Sequence, residues 1–491
     1  MEKVCDKCKG TRWSMKSGGW ACDNCDSGLE ILEEDTKEIE SIRQEFLFDI
    51  KDKNIPRATE LIVEYILKNN YIFTTKDDIK SEMWIYQQGV YVPQGRSEVK
   101  RVMRKILDRW FNIFYYNQVI SKIEADTFIE PDKFFSINYK EEVPVNNGVL
   151  NIFTRELKPF NPNKIFFNKL PVKYNPDARC VQIDMFLNQV LASEEDKKVL
   201  YEFTGSALLK EYRFEKALMM VGNGRNGKGK TLDLLKRMFH PNNCFSLSLA
   251  ALQHDNADVS HLFGKMLNLA GDIGFQDLKE TQLFKSLTGR DLITTRRKFL
   301  SALTFENYAK FIFACNELPN VYDTSKGFWD RWLLLEFPYT FVTQEEYDKA
   351  SDKSKLKIKD SDIINKIVTE EELSGFLNAS LDGLDRLLLN KDFSSTLGSE
   401  QIKQIWMRKA NSFVAFAMDY LEPDYDGIIT KKELRRRYHE FTKKHKVPNK
   451  SDFVVKRVLQ EEFGASEERK MMGIYPNNEQ EHIWQGIKWK K

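Results

Sequence analysis

Ten residues rich in glycine and lysine carry the clearest chemical pattern of the chain. They follow the apolar run Ala217–Val221, which has the character of a buried strand, and they are Gly222, Asn223, Gly224, Arg225, Asn226, Gly227, Lys228, Gly229, Lys230 and Thr231. Glycines let backbone N–H groups point at a phosphate, a lysine reaches the β- and γ-phosphates, and a hydroxyl can ligate Mg²⁺. The pattern predicts a site for a nucleoside triphosphate, and we expect ATP.

The loop fits the phosphate-binding pattern in two frames. The first frame begins at the end of the strand and makes Lys228 the phosphate lysine, but it puts Gly229 where serine or threonine is expected. The second frame is a complete G-x4-G-K-T, in which Lys230 is the lysine and Thr231 is the magnesium ligand. The residues alone leave both frames open.

Three later apolar segments each carry a polar residue suited to phosphate chemistry. Asp272 closes one run and would hold Mg²⁺ or polarise water at the carboxyl end of a parallel strand. Asn316 closes another and would orient the attacking water near the γ-phosphate. Arg331 lies between aromatic residues, as suits an arginine finger that acts on a neighbouring subunit. Each of these three residues is a weak signal alone, but their order and spacing along the chain together favour a site for phosphate chemistry.

The same residues belong to a wider set of motifs. Asp272 is followed by Leu287–Asp291 (LTGRD), Cys315–Pro319 (CNELP) and Trp329–Trp332 (WDRW). This series resembles the superfamily 3 helicases, and within them the primase-helicases of phages, plasmids and poxviruses. Two upstream segments are similar to the domain that precedes the ATPase in that family, so the resemblance covers residues 80–340.

The resemblance implies an AAA+-like ATPase that assembles as a hexameric ring on DNA and moves 3′ to 5′. The phosphate loop of that family reads G-x-G-x-N-G-K, which aligns with the first frame and favours Lys228. Lys230 and Thr231 stay open as alternatives. Gly229 occupies the usual position of serine or threonine, so the hydroxyl that would ligate Mg²⁺ is not identified.

A charged segment between Asp272 and Asn316 alternates like two short strands. Arg296, Arg297 and Lys298 lie between or near these strands. In the resembling family a hairpin at this place projects into the ring channel, and three adjacent cations suit contact with DNA phosphates rather than bases. The alternative is an exposed edge strand that its charges keep soluble. We expect the hairpin to bind DNA.

Four of the seven cysteines have the spacing of a metal site. Thirteen residues separate one C-x2-C pair from the other, and these thiolates, Cys5, Cys8, Cys22 and Cys25, can close a tetrahedral Zn²⁺ site. A β-ribbon this small has no sufficient core, so the metal would supply its folding free energy. Disulfides or a thioredoxin-like pair are the alternatives, and the ribbon could bind DNA, bind protein or be structural. Cys180, Cys244 and Cys315 are expected to be ordinary thiols.

Local patterns predict further elements along the chain. Apolar spacing predicts an amphipathic helix at 57–70, a hairpin at 84–92, a helix at 98–114 and strand-like structure at 165–174. The helix at 98–114 carries five basic residues, for which a solvated face is favoured over a DNA contact. The last residues, 425–491, contain sixteen Lys/Arg against ten Asp/Glu. Three helices predicted at 406–421, 430–445 and 451–463, followed by a terminal hairpin, suggest a winged helix.

Together these patterns predict a multidomain α/β protein. Its expected parts are a zinc ribbon (1–28), an acidic linker (29–45), an α+β domain (46–205), an AAA+-like P-loop ATPase (206–400) and a DNA-binding winged helix (406–491). The formal net charge is only +2 with 30% charged residues, so attraction to DNA must come from local patches. No apolar run is long enough to span a membrane and no signal peptide is recognised, which predicts a cytoplasmic protein.

The expected function is that of an ATP-driven hexameric DNA helicase that replicates a virus, plasmid or integrated element. It would use ATP, Mg²⁺ and Zn²⁺ and would act on single-stranded and forked DNA. Two alternatives are an origin-binding initiator or loader that ATP switches, and a translocase on double-stranded DNA. Residues 30–140 lack paired carboxylates typical of a primase, so we expect primer synthesis to come from another polypeptide or from the host.

Overall fold

The computed structural model describes residues 13–16, 19–22, 29–76, 81–136, 139–253, 259–271, 277–297, 300–445, 447, 449–472 and 479–490. Side chains are described for these residues except 13–36, 296–303, 472 and 479. Contacts between Cα atoms divide the chain into two units, one of Met1–Leu170 with Arg296–Leu303 and one of Pro171–Thr295 with Thr304–Lys491. Within the described residues no helix is both long and apolar enough to cross a bilayer.

The first unit combines helices with three small sheets. Strands β1 and β2 form an antiparallel hairpin, β5-β4-β3-β6 form a second sheet, and β7-β8-β9 form a third. The apolar faces of the helices pack into one core, in which Ile62, Met103 and Ile123 are fully buried. Its elements are β1 (Trp13–Lys16), β2 (Gly19–Cys22), α1 (Leu29–Lys51), α2 (Ile55–Asn69), β3 (Ile72–Thr75), β4 (Met83–Gln87), β5 (Val90–Val92), α3 (Gly95–Leu107), α4 (Ile113–Thr127), β6 (Phe128–Ile129), α5 (Pro131–Phe134), β7 (Glu142–Val145), β8 (Gly148–Asn151) and β9 (Leu157–Lys158).

Some of the local predictions for this unit are confirmed and others are wrong. The amphipathic helix predicted at 57–70 is α2, and the predicted hairpin is β4 with β5. The single helix predicted at 98–114 is wrong, because α3 ends where Asp108 adopts a left-handed φ of 47°. A short 3-10 turn follows, and Asn112 then caps α4 by accepting a hydrogen bond from the Phe114 N–H at 2.9 Å. The expected acidic linker lies largely within α1.

The second unit is built on a five-stranded sheet whose strands all run parallel. The strand order is β11-β12-β15-β10-β16, and no residue of β10 or β15 is exposed. Helices cover both faces of such sheets, which explains why these strands read as unbroken apolar runs. The strand-like structure predicted at 165–174 is not present at these residues, all of which are described. The elements from residue 181 to 315 are α6 (Val181–Val190), α7 (Glu194–Ser206), β10 (Ala217–Val221), α8 (Lys228–Phe239), β11 (Cys244–Phe245), β12 (Leu267–Ala270), α9 (Gln282–Thr288), β13 (Leu292–Arg297), β14 (Leu300–Glu306) and β15 (Lys310–Cys315).

The remainder of the second unit contributes an edge strand to the parallel sheet and forms a smaller sheet near the C-terminus. Strands β13 and β14 form the two-stranded sheet predicted between Asp272 and Asn316. Helix α13 buries its leucine-rich face and packs on α7. The elements are α10 (Lys326–Trp329), β16 (Trp332–Glu336), β17 (Thr340–Val342), α11 (Gln344–Lys349), β18 (Leu356–Ile358), α12 (Ile363–Ile367), α13 (Glu370–Asn390), α14 (Ser399–Ala410), α15 (Ser412–Tyr420), β19 (Leu421–Thr430), α16 (Lys431–His445), α17 (Asp452–Phe463), β20 (Ser466–Met472) and β21 (Glu479–Trp489).

The chain from α15 to β21 has its own core. Phe413, Phe416, Leu459, Trp484 and Ile487 are all buried there, between three helices and the antiparallel sheet β19-β21-β20. Thr430 caps the start of α16, since its hydroxyl accepts a hydrogen bond from the Glu433 N–H at 3.2 Å. The predicted order of three helices and a terminal hairpin is therefore observed, with β19 inserted between the first two helices.

Candidate nucleotide-binding site

The glycine-rich loop connects the end of β10 to the start of α8. A side chain at Gly222 would bring its Cβ to 2.3 Å from Asn226 Nδ2 and 2.4 Å from the Phe337 carbonyl oxygen, so only glycine fits. Gly227 precedes the helix with a left-handed φ of 96°, which glycine adopts without strain. The N–H groups of the first turn of α8 therefore lie next to the loop, where the helix dipole favours an anion.

Lys228 lies at the centre of this loop and is almost fully buried. Its ammonium donates hydrogen bonds to Asn316 Oδ1 at 3.1 Å, to Asn226 Oδ1 at 3.2 Å and to the Gly222 carbonyl oxygen. Asn316 reaches it because β15 is the neighbour of β10 in the sheet, with Val221 opposite Cys315. These hydrogen bonds to three oxygen atoms hold the ammonium at the centre of the loop.

Lys230 and Thr231 make other contacts. The Lys230 ammonium donates to the Ser361 carbonyl oxygen at 2.9 Å on the outer side of α8. Thr231 is fully buried, and its hydroxyl donates to the Gly227 carbonyl oxygen at 3.2 Å within the helix. Gly229 is open, because a Cβ added there would meet no atom within 4 Å. The structure thus brings together Lys228, Asn226 and Asn316, and it separates Lys230 and Thr231 from them.

Several predicted site residues lie outside the described part of the chain. Asp272 is one of them, although β12 ends two residues earlier at Ala270, beside β15. Lys298 and the side chains of Arg296 and Arg297 also lie outside it, so β13 is described without the side chains of its last two residues. The same holds for the side chains of the four paired cysteines, Cys5, Cys8, Cys22 and Cys25.

Potential metal ligands can be surveyed only in the described residues. Within that part of the chain, no group of three or more His, Cys, Asp or Glu side chains is arranged to hold a metal ion. The described thiols, Cys180, Cys244 and Cys315, are free, and burial raises the pKa of each one. These three cysteines are therefore the ordinary thiols that the sequence predicts.

Arg331 lies at the opposite end of the sheet from the glycine-rich loop. It directly precedes β16, whose residues Trp332 to Glu336 pair with Ala217 to Val221, so about 17 Å of strand separates it from the loop. Its guanidinium donates to Thr288 Oγ1 at 2.9 Å and to Glu215 Oε2 at 3.2 Å, and also to the Gly327 carbonyl oxygen. Arg331 therefore cannot reach a nucleotide bound in the loop of its own chain.

An apolar pocket of 170 Å³ adjoins the loop on the side of Gly227. Val190 and Phe341 form its walls, together with Ile358 and Ile363, and the aliphatic part of Lys230 reaches its rim. The pocket is held next to the loop because the Phe341 N–H donates to the Arg225 carbonyl oxygen at 2.6 Å and Glu346 pairs with Arg225 at 3.0 Å. The sequence gives no signal for these residues, since they come from three distant segments.

Two carboxylates lie close together near the loop. Glu336 ends β16 beside Val221, and Asp196 lies in the first turn of α7. Burial, with a smaller effect of Glu336, raises the pKa of Asp196 to about 6. Lys409 offsets part of this charge by pairing with Glu336 at 3.3 Å. Ionisation of Asp196 is therefore less favourable in the folded protein than in the unfolded chain.

Asp196→Asn should stabilise the protein above pH 6. Because the folded pKa lies above the unfolded value, Asp196 contributes its full stability only below the unfolded pKa and loses it as the pH rises through about 6. Asparagine resembles the protonated form, so we expect a gain of about 1–2 kcal/mol at pH 8, after allowing for solvent screening. Denaturant unfolding of both forms at pH 4 and pH 8 measures it. An equal gain at both pH values would contradict the assignment.

Two family models match parts of the chain. The model described as D5 N terminal like matches residues 5–192, and the model described as a family of unknown function (DUF5906) matches residues 220–331. The second match begins in β10 and ends at Arg331, so it contains the glycine-rich loop, Asn316 and the arginine between its limits.

Two viral proteins named "Putative helicase" are similar to the chain. The protein of Acanthamoeba polyphaga mimivirus is 22% identical over 60% of this chain, and that of the Sputnik virophage is 21% identical over 50%. The matches cover 31% and 32% of those proteins, so the chain spans about a third of their length. An apo structure of the NrS-1 C-terminal region gives a TM-score of 0.44 at 14% identity, over 87% of this chain and 98% of that one.

The sequence resemblance and these matches agree with each other. The chain carries a D5 N-terminal-like region upstream of a P-loop sheet, in the arrangement that the motifs of its sequence predict. That region and the similarity to the two viral proteins support a relationship of the chain to phage and viral primase-helicase-like proteins.

Proposed function

We propose that the protein is an ATP-dependent, ring-forming DNA helicase that moves 3′ to 5′ in the replication of a virus, plasmid or integrated element. The observation that carries this proposal is the buried Lys228 ammonium, which Asn226 and Asn316 hold inside a glycine-rich loop at the start of α8. The viral relatives named as helicases support a motor function for such a site.

ATP would bind with its phosphates in the loop and its base in the adjoining apolar pocket. Lys228 and the N–H groups of the first turn of α8 would hold the β- and γ-phosphates. The open space at Gly229 suits a magnesium ion, for which Asp272 is the proposed carboxylate, and the ion would supply charge neutralisation at the phosphates. Asn316 would orient the attacking water. Val190 and Phe341 would pack against the base.

Assembly would complete the site. Arg331 lies at the far end of the sheet, too far from the loop to reach a nucleotide bound in its own chain. We propose that it acts on the nucleotide of a neighbouring subunit as an arginine finger, which makes hydrolysis depend on formation of a ring, and a hexamer is the ring that the family resemblance implies. The contacts with Thr288 and Glu215 would hold the guanidinium in place before the partner arrives.

Three regions would contact DNA or support such contact. Three cations, Arg296 and Arg297 at the end of β13 and Lys298 directly after it, would contact DNA phosphates in the ring channel. The chain from α15 to β21 has the helix, strand, helix, helix, hairpin order on which we base the assignment of a winged helix. The zinc ribbon at the N-terminus and the limits of the five sequence-based domains stay predictions.

The purified chain should contain one zinc ion per subunit. Cys5→Ser combined with Cys22→Ser removes one ligand from each pair and should abolish the bound zinc, since a structural site needs four ligands. Cys244→Ser, which alters a thiol outside the pairs, is the matched control and should keep the metal. Elemental analysis of the dialysed proteins gives the result. Zinc-free wild-type protein, or zinc retained by the double variant, would contradict the assignment.

ATP hydrolysis that single-stranded DNA stimulates is the direct test of the proposed motor. With Mg²⁺ and the full chain, we expect the rate to rise on addition of single-stranded DNA, because the DNA in the ring channel would organise neighbouring sites. A rate that only one duplex sequence stimulates would favour an origin-binding initiator. A rate that any duplex stimulates but single strands do not would favour a double-stranded DNA translocase.

A further inference from the structure

The positive charge of the C-terminal region is concentrated on one helix. Helix α16 contains seven Lys/Arg residues against two Glu, whereas α17 contains two Lys/Arg against one Asp and two Glu. In a helix-turn-helix domain the second helix of the pair, here α17, would enter the major groove of DNA. Its charge is the wrong sign for that role, while α16 carries the charge that DNA phosphates attract.

The two cations of α17 are already engaged. Lys456 pairs with Glu467 of β20 at 3.1 Å. Arg457 donates to the Tyr322 hydroxyl at 2.6 Å, and its guanidinium lies 4.9 Å from the centre of the Tyr322 ring. Tyr322 belongs to the segment that follows Asn316 and β15, so this side of α17 faces the ATPase sheet. Helix α17 therefore offers no free cation to a DNA groove among its described contacts.

Helix α16 carries a stripe of exposed cations on the face opposite its buried residues. Lys432, Arg436 and Lys443 are exposed and lie four and seven residues apart, so they share one face. Leu434, Tyr438 and Phe441, on the other face, are buried. No ion pair is described for Lys432 or Lys443, and Arg436 makes only an exposed contact with Glu440 at 3.5 Å. The stripe is about 16 Å long, about half a turn of B-DNA.

We propose that this stripe, Lys432 with Arg436 and Lys443, binds the phosphate backbone of duplex DNA without reading its sequence. The inference rests on the proposed helicase function. It adds a binding contact between the C-terminal region and the duplex that lies ahead of the unwound strands. Phosphate contacts of this kind position a protein but carry no base information. The C-terminal region would then bind any duplex, with α16 rather than α17 against the DNA.

The test compares duplex binding by full-length variants across salt concentrations. The triple variant combines Lys432→Gln, Arg436→Gln and Lys443→Gln. The negative slope of log affinity against log salt concentration should become shallower by about 2–3, since each phosphate contact contributes about 0.9. Two unrelated blunt duplexes should lose affinity equally. The charge-matched control is Lys349→Gln with Lys353→Gln and Lys355→Gln, three exposed lysines outside the C-terminal region. The α17 control is Lys456→Gln, and both controls should retain the wild-type slope.

Other outcomes would overturn the inference. They are an unchanged slope in the α16 variant, a larger loss in Lys456→Gln, a loss confined to one duplex sequence, or altered assembly with unaltered duplex affinity. ATP hydrolysis stimulated by single-stranded DNA separates this inference from the proposed function. The α16 variant should retain that stimulation. If single-stranded DNA does not stimulate the wild-type protein, the proposed helicase function is refuted, but the duplex affinities still test the role of α16.

Discussion

Lys228→Ala should abolish ATP hydrolysis, whereas Lys230→Ala should leave the maximal rate nearly unchanged. The Lys228 ammonium is buried between Asn226 and Asn316 and has no substitute in the loop, so its loss should lower kcat by at least about 10²–10³-fold. Lys230 holds only the Ser361 carbonyl oxygen on the outer side of α8, and its removal should change kcat by less than about threefold. Steady-state hydrolysis with Mg²⁺ measures both effects.

This pair of variants also decides between the two frames of the loop. Both remove one ammonium from the same helix two residues apart, so each is the charge-matched control of the other. A similar melting temperature for the two variants would show that the difference in rate is not a loss of folding. Normal hydrolysis by Lys228→Ala, together with loss of hydrolysis in Lys230→Ala, would contradict the proposed site and support the second frame.

Arg331→Ala should bind ATP almost as well as wild-type protein and yet hydrolyse it about 10³–10⁵-fold more slowly, which is the range that arginine fingers contribute. The reason is distance: the length of β16 keeps Arg331 away from the loop of its own chain. Nucleotide affinity by fluorescence titration and single-turnover hydrolysis give the two quantities. Loss of ATP binding in proportion to hydrolysis would instead point to damage within the subunit.

Mixing inactive variants tests whether Arg331 acts on a neighbour. In a 1:1 mixture of Lys228→Ala and Arg331→Ala subunits, about a quarter of the interfaces should combine an intact lysine with an intact arginine from the other subunit. Hydrolysis should therefore reappear in the mixture although each variant alone is inactive. Because Arg331 also contacts Glu215 and Thr288, thermal unfolding of Arg331→Ala should be recorded beside it. No recovery on mixing would contradict a finger acting between subunits.

Much of the fold can be predicted from the sequence because its strongest patterns are local. Ala217–Val221 and the run ending at Asn316 are strands buried on both faces, and such strands are continuous in apolar residues. The order of elements from α15 to β21 is also predictable, since each helix has a clear apolar face. The break after α3 is not, because it depends on the positive φ of Asp108, which residues other than glycine seldom adopt.

Part of the candidate site can likewise be predicted from the sequence, and part of it cannot. The glycine-rich loop is visible in the sequence, but the choice between Lys228 and Lys230 depends on Asn316, which lies 88 residues later and reaches the loop only through the pairing of β10 with β15. The pocket formed by Val190, Phe341 and Ile358 has no sequence signal, because chain crossings bring these residues together. Their apolar character alone predicts only burial.

Strand displacement from tailed duplexes tests the central claim most directly. The full chain, with ATP and Mg²⁺, is compared on two duplexes that share one sequence and differ in carrying a 3′ or a 5′ single-stranded tail, with Lys228→Ala as the inactive control. We expect wild-type protein to displace the strand only from the duplex with the 3′ tail, and the control to displace neither. Displacement from the 5′ tail alone, or hydrolysis of ATP without displacement from either duplex, would contradict the proposed 3′ to 5′ helicase.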